Sequence, residues 1–166
     1  MLALVGLFGL TGCSSDPTQG YSFSPSFRQD IKSIAVPIFQ NDTFYHGLEN
    51  QLTEAIVLEV RRQTPYALVD RSAAQTVLTG TIRKVDLGTL ATDRQTGLAA
   101  ETAISITIDF AWTDARTGRA LTSRRNFSAA RSFIPAQQAG ERIETGQVVT
   151  VSQLARDVVA EMRSGW

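Results

Sequence analysis

Among the residues able to do chemistry, Cys13 is the only cysteine and His46 the only histidine of the 166-residue chain. A lone thiol cannot form an internal disulfide, and one cysteine with one histidine does not supply the ligand set of a zinc or haem site. His46 lies in the turn-rich stretch "QNDTFYHG" with no serine or cysteine patterned beside it as a nucleophile partner, so it reads as a turn residue. In the same stretch Asp42 or Thr43 is placed to assist the start of a following helix, and Glu54 with Glu59 fits a solvated helix face; no carboxylate pair stands out for acid–base work. "TGTI" around Gly80 is too short and too poor in glycine to cradle a phosphate as a P-loop does. These residues predict a chain that is not an enzyme and needs no metal or cofactor. Sixteen basic residues balance sixteen acidic ones, so no global field advertises nucleic acid, and electrostatic recognition must come from local clusters.

The surroundings of Cys13 give the thiol a different use. "MLALVGLFGL" is an uncharged apolar run, far shorter than the roughly 20 residues of a membrane-spanning helix and matching the core of a signal peptide. Leu10-Thr11-Gly12-Cys13 follows, an aliphatic residue and two small ones before the cysteine, and it resembles the lipobox of bacterial lipoproteins. That resemblance implies cleavage before Cys13 and acylation of its sulfur, with membrane attachment of about 0.8 kcal/mol per buried methylene. No Lys or Arg precedes the apolar run as a signal n-region would have, so a start upstream of Met1 is expected. "SSDPTQGYSFSPS", from Ser14 to Ser26, is rich in Ser, Pro and Gly without apolar period and reads as a tether. The expected organisation is a signal peptide over 1–12, a lipidated N-terminus and tether over 13–26, and a folded domain over 27–166.

The elements of that domain follow from periodicity. "IKSIAVPIF", Ile31 to Phe39, is apolar and β-branched and predicts a strand, with Pro37 at an edge or bulge. Leu48, Leu52, Ala55, Ile56 and Val60 recur at helical spacing up to Thr64-Pro65. "YALVD" and the stretch from Thr76 to Leu90 read as extended, with Gly80 and Gly88 as candidate bulges. Ile104, Ile106, Ile108, Phe110 and Trp112 alternate with Ala103, Ser105, Thr107, Asp109 and Ala111, the pattern of a strand with one buried and one wet face. Gly118 suits the left-handed position of a short hairpin, the return strand is expected from Arg119 to about Ile134, and a second amphipathic helix, starting as early as Gln138, carries Val148, Val151, Leu154, Ala155, Val158, Val159 and Met162. The economical packing is α+β: a two-layer sandwich with a mainly antiparallel sheet of about four strands and both helices on one face.

"GYSF" shortly after the lipobox cysteine, then "IKSIAVPIFQNDTF", "GLENQLTEAI", "TPYALVDRSAAQTVLTGTI" and a terminal amphipathic helix come in an order that resembles the LptE-type lipopolysaccharide-assembly lipoproteins, from Leu10 onward. The resemblance implies a non-enzymatic outer-membrane component, lipid-anchored with its domain facing the periplasm and barrel lumen. Its implied partners are an LptD-type β-barrel, which it plugs, and lipopolysaccharide. Ser14 after the cysteine, in place of the Asp that retains lipoproteins in the inner membrane, is consistent with outer-membrane sorting. The "IAV" strand with its "L-x-x-x-L-x-x-A" helix also resembles the CsgG and LpoB groups, which implies a periplasmic regulatory or secretion lipoprotein instead.

A lipid A headgroup carries phosphates, which Arg forks and Lys charges on a rigid surface recognise. The candidate contacts are Arg83 and Lys84 on one strand, Arg94 in the next turn, Arg119 beside Gly118 (with Arg116 on its other side), and Arg124, Arg125 and Arg131 on the return strand. Strict alternation gives Arg125 the parity of Leu121, Phe127 and Phe133 and puts Arg124 on the other face, unless a bulge intervenes. Phe110 and Trp112 belong to the core-facing set. Replacing Cys13 with Ala is expected to leave an unprocessed precursor, visible as a higher-mass species that takes up no labelled fatty acid; ordinary processing of that variant overturns the acylation assignment.

Overall fold

The computed structural model describes residues 27–92, 94, 99–133 and 143–163. The signal and tether segments, Cys13, the residues preceding the second helix and Trp166 lie outside them. The chain forms β1 (Ser33–Ala35), β2 (Gln40–Asn41), α1 (Leu48–Gln63), β3 (Ala67–Leu68), β4 (Thr76–Thr92), β5 (Ala99–Asp114), β6 (Ala120–Phe133) and α2 (Ile143–Ala160). All six strands join one sheet of order β3-β1-β4-β5-β6, with β2 also against β4. The α+β two-layer architecture is as the periodicity predicts, but the sheet is larger and mixed. β1 runs parallel to β3 and β4, and β2 parallel to β4, beside the antiparallel β4-β5-β6 meander.

Pro37 explains why one predicted strand became two. Lacking an N–H, it cannot continue the ladder, and the chain leaves the sheet between β1 and β2. Phe39 drops into the core there, its amide donating to the Thr53 hydroxyl of α1 at 3.0 Å, and that hydroxyl donates on to the Glu49 carbonyl at 2.7 Å. The buried threonine is thereby satisfied as both donor and acceptor.

The alternating residues of β5 all lie on the helix-covered face: Ile104, Ile106 and Ile108 are fully buried, with Phe110 and Trp112 nearly so. Against them pack Leu52, Ile56 and Val60 of α1 and Val151, Leu154, Ala155, Val158 and Val159 of α2. At the end of this core nearest the Gly118 hairpin, Tyr66 bridges Phe27 (centroids 6.0 Å apart) and Trp112 (5.8 Å), and its hydroxyl accepts the Arg28 amide. Burial pushes the Tyr66 hydroxyl pKa upward.

Several local expectations change. α1 begins at Gly47 in the left-handed conformation with no side-chain cap. Asn41, not Asp42 or Thr43, organises the approach: its amide donates to the Tyr45 carbonyl and Glu49, and its carbonyl oxygen accepts from Thr43. Glu59 is buried, not solvated, and its carboxylate is satisfied within the helix by Gln63 at 2.6 Å and Arg62 at 3.3 Å. Gly80 and Gly88 sit in regular register with Phe110 and Ala103, so neither is a bulge. Gly80 instead permits a close approach, since a β-carbon there would strike the Phe39 ring and lie 2.8 Å from the Asp109 carbonyl oxygen.

Overpacking of this kind costs about 1–3 kcal/mol. Gly80→Ala is therefore expected to lower Tm by several degrees in a thermal melt, and Phe39→Leu in the same chain to recover part of the loss by shortening the obstructing ring; unchanged melting of Gly80→Ala would refute the packing argument.

Candidate functional site

With both helices on one face, the other face of the sheet carries short polar side chains. Thr79 and Thr81 of β4, Asp109 and Ala111 of β5 and Ser123 of β6 line a groove of about 510 Å³, to which Pro37, Ile38, Arg71, Arg83 and Arg125 also contribute. A shallower hollow, lined by Arg71, Val77, Thr79, Thr113, Asp114 and Gly118, continues toward the hairpin.

Asp109 sits at the centre, opposite a slip in β6 and next to one in β4. β4 shifts between Ile82 and Lys84, so Arg83 is the extra residue, and β6 shifts opposite the step from Ile108 to Phe110, where Arg125 and Asn126 face Asp109. Asn126 has φ 54°, the left-handed value that asparagine tolerates better than most residues. One Asp109 oxygen accepts the Asn126 amide at 2.9 Å; the other accepts Arg83 Nε at 2.8 Å. Arg83 also reaches Asp42 through Nη1 at 2.5 Å. The Asn126 amide first, then Arg83, hold the Asp109 carboxyl below the usual carboxylate range, while its two carboxylate partners raise the Arg83 pKa.

The slip in β6 reverses the parity read from the sequence. Arg124 falls opposite the buried Phe110 and pairs with Glu161, at the end of α2, at 2.6 Å on the helix side. Arg125, expected on the face of Phe127, lines the open groove instead. Of the predicted contacts, Arg83, Arg124 and Arg125 line the groove, Arg124 with its guanidinium taken by Glu161. Lys84 is paired with Asp86 at 2.8 Å. Arg94 lies exposed in the β4-β5 connection and Arg119 in the hairpin after Gly118. Arg131, paired opposite Ile104, is exposed farther along β6.

Arg71, which the sequence reading passed over, stands in the connection between β3 and β4 and lines both hollows. No periodicity marks such a loop residue. Among the described residues Arg71 and Arg125 have no carboxylate partner. With Arg83 held by Asp42 and Asp109, these two are the groove's cations available to an outside anion, and guanidinium forks suit phosphate or carboxylate oxygens. His46 is exposed and lies outside this face.

Fold and site together define a two-layer α+β domain presenting an arginine-walled polar groove on its helix-free face. The model of the LptE family, described as lipopolysaccharide-assembly, matches residues 31–163, and the chain belongs to that family. No curated protein matches the sequence. Among solved structures, the chain is similar to a Xanthomonas campestris protein of the DUF330 family (TM-score 0.58, 15% identity, covering 82% of this chain and 86% of that one). It is also similar to a hypothetical protein of Chlamydia trachomatis (TM-score 0.56, 11% identity, 78% and 94%) and to rare lipoprotein B of Shewanella oneidensis (TM-score 0.50, 17% identity, 77% and 92%). At these identities the likeness is one of fold. Among the described residues no helix is long and apolar enough to cross a membrane.

Because folding lowers the Asp109 pKa, its contribution to stability is complete above the ordinary carboxylate range and is lost as pH falls below it. Denaturant unfolding between pH 6 and pH 3 is expected to show the wild type losing more stability than Asp109→Asn, which cannot titrate; parallel acid limbs would remove Asp109 from the account.

Proposed function

We propose that this protein is an outer-membrane lipoprotein, acylated at Cys13, that plugs the lumen of an LptD-type β-barrel and assists delivery of lipopolysaccharide to the outer leaflet, without catalysis. The family match over residues 31–163 carries the reading. Two features of the molecule support its finer parts. Thirteen residues, Ser14 to Ser26, separate Cys13 from Phe27, a reach of at most about 45 Å, enough for a domain to enter a barrel while its acyl chains stay in lipid. The groove face supplies Arg71 and Arg125 as phosphate-seeking forks over a floor of Thr79, Thr81 and Ser123, and short hydroxyls there suit the sugar and phosphate oxygens of a lipid A headgroup. The mechanism is occupancy and shape: the domain fills a lumen and holds the headgroup on a rigid sheet, where its phosphates exchange water for guanidinium donors.

The deciding experiment is photocrosslinking in cells from Thr79, Thr107 and Ser123 on the helix-free face, with Arg156 on the outer side of α2 as the control. Adducts with a barrel protein and with lipopolysaccharide are expected from the first three; adducts with neither, or normal surface lipopolysaccharide after depletion of the protein, overturn the proposal. Each charged hydrogen bond contributes about 1.5–3 kcal/mol. Arg71→Glu combined with Arg125→Glu is therefore expected to weaken lipopolysaccharide binding by roughly tenfold or more while the domain stays folded, because among the described residues neither guanidinium is held by a carboxylate.

A further inference from the structure

The hollow that continues the groove toward Gly118 has the opposite hydrogen-bonding character. The groove offers donors. Arg71 and Arg125, neither held by a carboxylate among the described residues, line it beside a floor on which Thr79, Ala111 and Ser123 share one rung of the sheet. The hollow, of about 260 Å³, offers acceptors. There the Thr113 hydroxyl donates its proton to the Val77 carbonyl at 3.3 Å, so toward anything else its oxygen can only accept. Asp114 Oδ1 accepts the Thr117 amide at 2.7 Å, the Thr117 hydroxyl at 2.9 Å and the Arg116 amide at 3.0 Å, which ties the hairpin turn together. These donors, the Thr117 amide first, hold the Asp114 carboxyl below the usual carboxylate range. Its Oδ2 has neither a hydrogen bond nor an ion pair among the described residues.

Arg71 lines both compartments and so joins them. Asp114 follows Ala111 by three residues on β5, which places it about 10 Å from the Thr79–Ser123 rung. Between them the buried Val77 gives the hollow an apolar wall. A ligand that fills both compartments must therefore carry acceptors and negative charge at one end, and donors with positive charge at the other. Inorganic phosphate meets only the first demand. A dicarboxylate meets the first and is repelled by Asp114 at the second. A sugar ring bearing a phosphate on one side and an amino group on the other meets both, because its carbon face suits the valine and its hydroxyls donate to Thr113.

From this polarity we infer that groove and hollow form one composite site for a phosphorylated amino sugar, with its phosphate on Arg71 and Arg125 and its ammonium on Asp114 Oδ2. The inference rests on the groove being an anion site, as proposed above. It adds the chemistry required beside the phosphate and the direction in which the ligand lies: phosphate toward the middle of the sheet, amine toward the Gly118 hairpin. Such a group is found either on a lipopolysaccharide headgroup or as a free sugar phosphate.

The test titrates the full chain, isotope-labelled and held in non-ionic detergent at low salt, with glucosamine 6-phosphate and with glucose 6-phosphate, which differ only in an amine for a hydroxyl. Amide chemical shifts give the affinities. Glucosamine 6-phosphate is expected to bind about fivefold more tightly, the effect of one partly exposed ion pair, and to move the Thr113 and Thr117 signals. Asp114→Asn retains Oδ1 for the turn, and is expected to make the two sugars equal while leaving glucose 6-phosphate binding and Tm unchanged. Arg71→Gln is expected to weaken both. Equal binding of the two sugars by the wild type overturns the inference without any variant, as does a preference that survives in Asp114→Asn or the absence of saturable binding. If Arg71→Gln still weakens both equally bound sugars, the groove remains an anion site and only the amine position falls; if it weakens neither, the anion reading falls as well. Displacement of bound glucosamine 6-phosphate by lipopolysaccharide identifies the headgroup as the source, whereas an intact amine preference without displacement upholds the site and assigns it to a free sugar phosphate.

Discussion

One carboxylate, that of Asp109, reconciles three strands that would otherwise disagree. β5 is strictly regular, and its alternation fixes which side of the sheet is apolar. Each neighbour has a residue too many, β4 beside the step from Thr107 to Ile108 and β6 beside the step from Ile108 to Phe110, and an extra residue leaves a backbone or side-chain donor without its ladder partner. Asp109 gives one oxygen to each neighbour, to Arg83 of β4 and to the Asn126 amide of β6. The slips are then satisfied on the wet face while Ile108 and Phe110, one residue to either side, remain buried.

From this arrangement the rest of the open face follows. The slip in β6 turns Arg125 toward the groove and sends Arg124 to the helix side, where Glu161 holds it. The slip in β4 lets Arg83 lie across the sheet to Asp42 just beyond β2, joining the meander to the parallel part of the molecule. A groove with arginines on its walls is thus a by-product of packing two irregular strands against a regular one. Its charge is set by which arginines these pairings leave unmatched.

How much of this could be read from the chain depends on the range of the interaction. The burial of Ile104 through Trp112 and the apolar stripes of both helices follow from periodicity, which is local, and the two-layer architecture follows from needing to cover one apolar sheet face. The faces of Arg124 and Arg125 could not be obtained by counting, because parity holds only to the first bulge and the bulge depends on a partner strand. The one available hint was Asp109 itself, the lone charge in the alternating wet row that otherwise holds Ala103, Ser105, Thr107 and Ala111. The short strands β2 and β3 were also beyond reach, since two residues carry no period. Arg71 joins the groove only through the parallel crossover that places the β3-β4 connection beside the sheet. The order of short motifs, by contrast, sufficed for the LptE resemblance, which the match over residues 31–163 bears out.

Phe27 deserves a different description from the one its burial suggests. It stacks edge-on against Tyr66, and the Arg163 guanidinium lies 5.8 Å from its ring centroid. Tyr66 in turn meets Trp112, some thirteen residues along β5 from Ala99, or about 44 Å from the opposite pole of the molecule. Tension applied through the chain leading to Phe27 would therefore enter at one extremity and be shared at once by three aromatic rings drawn from separate elements. The load would fall on the hairpin end of the core, leaving the long β4-β5 arm mechanically unloaded.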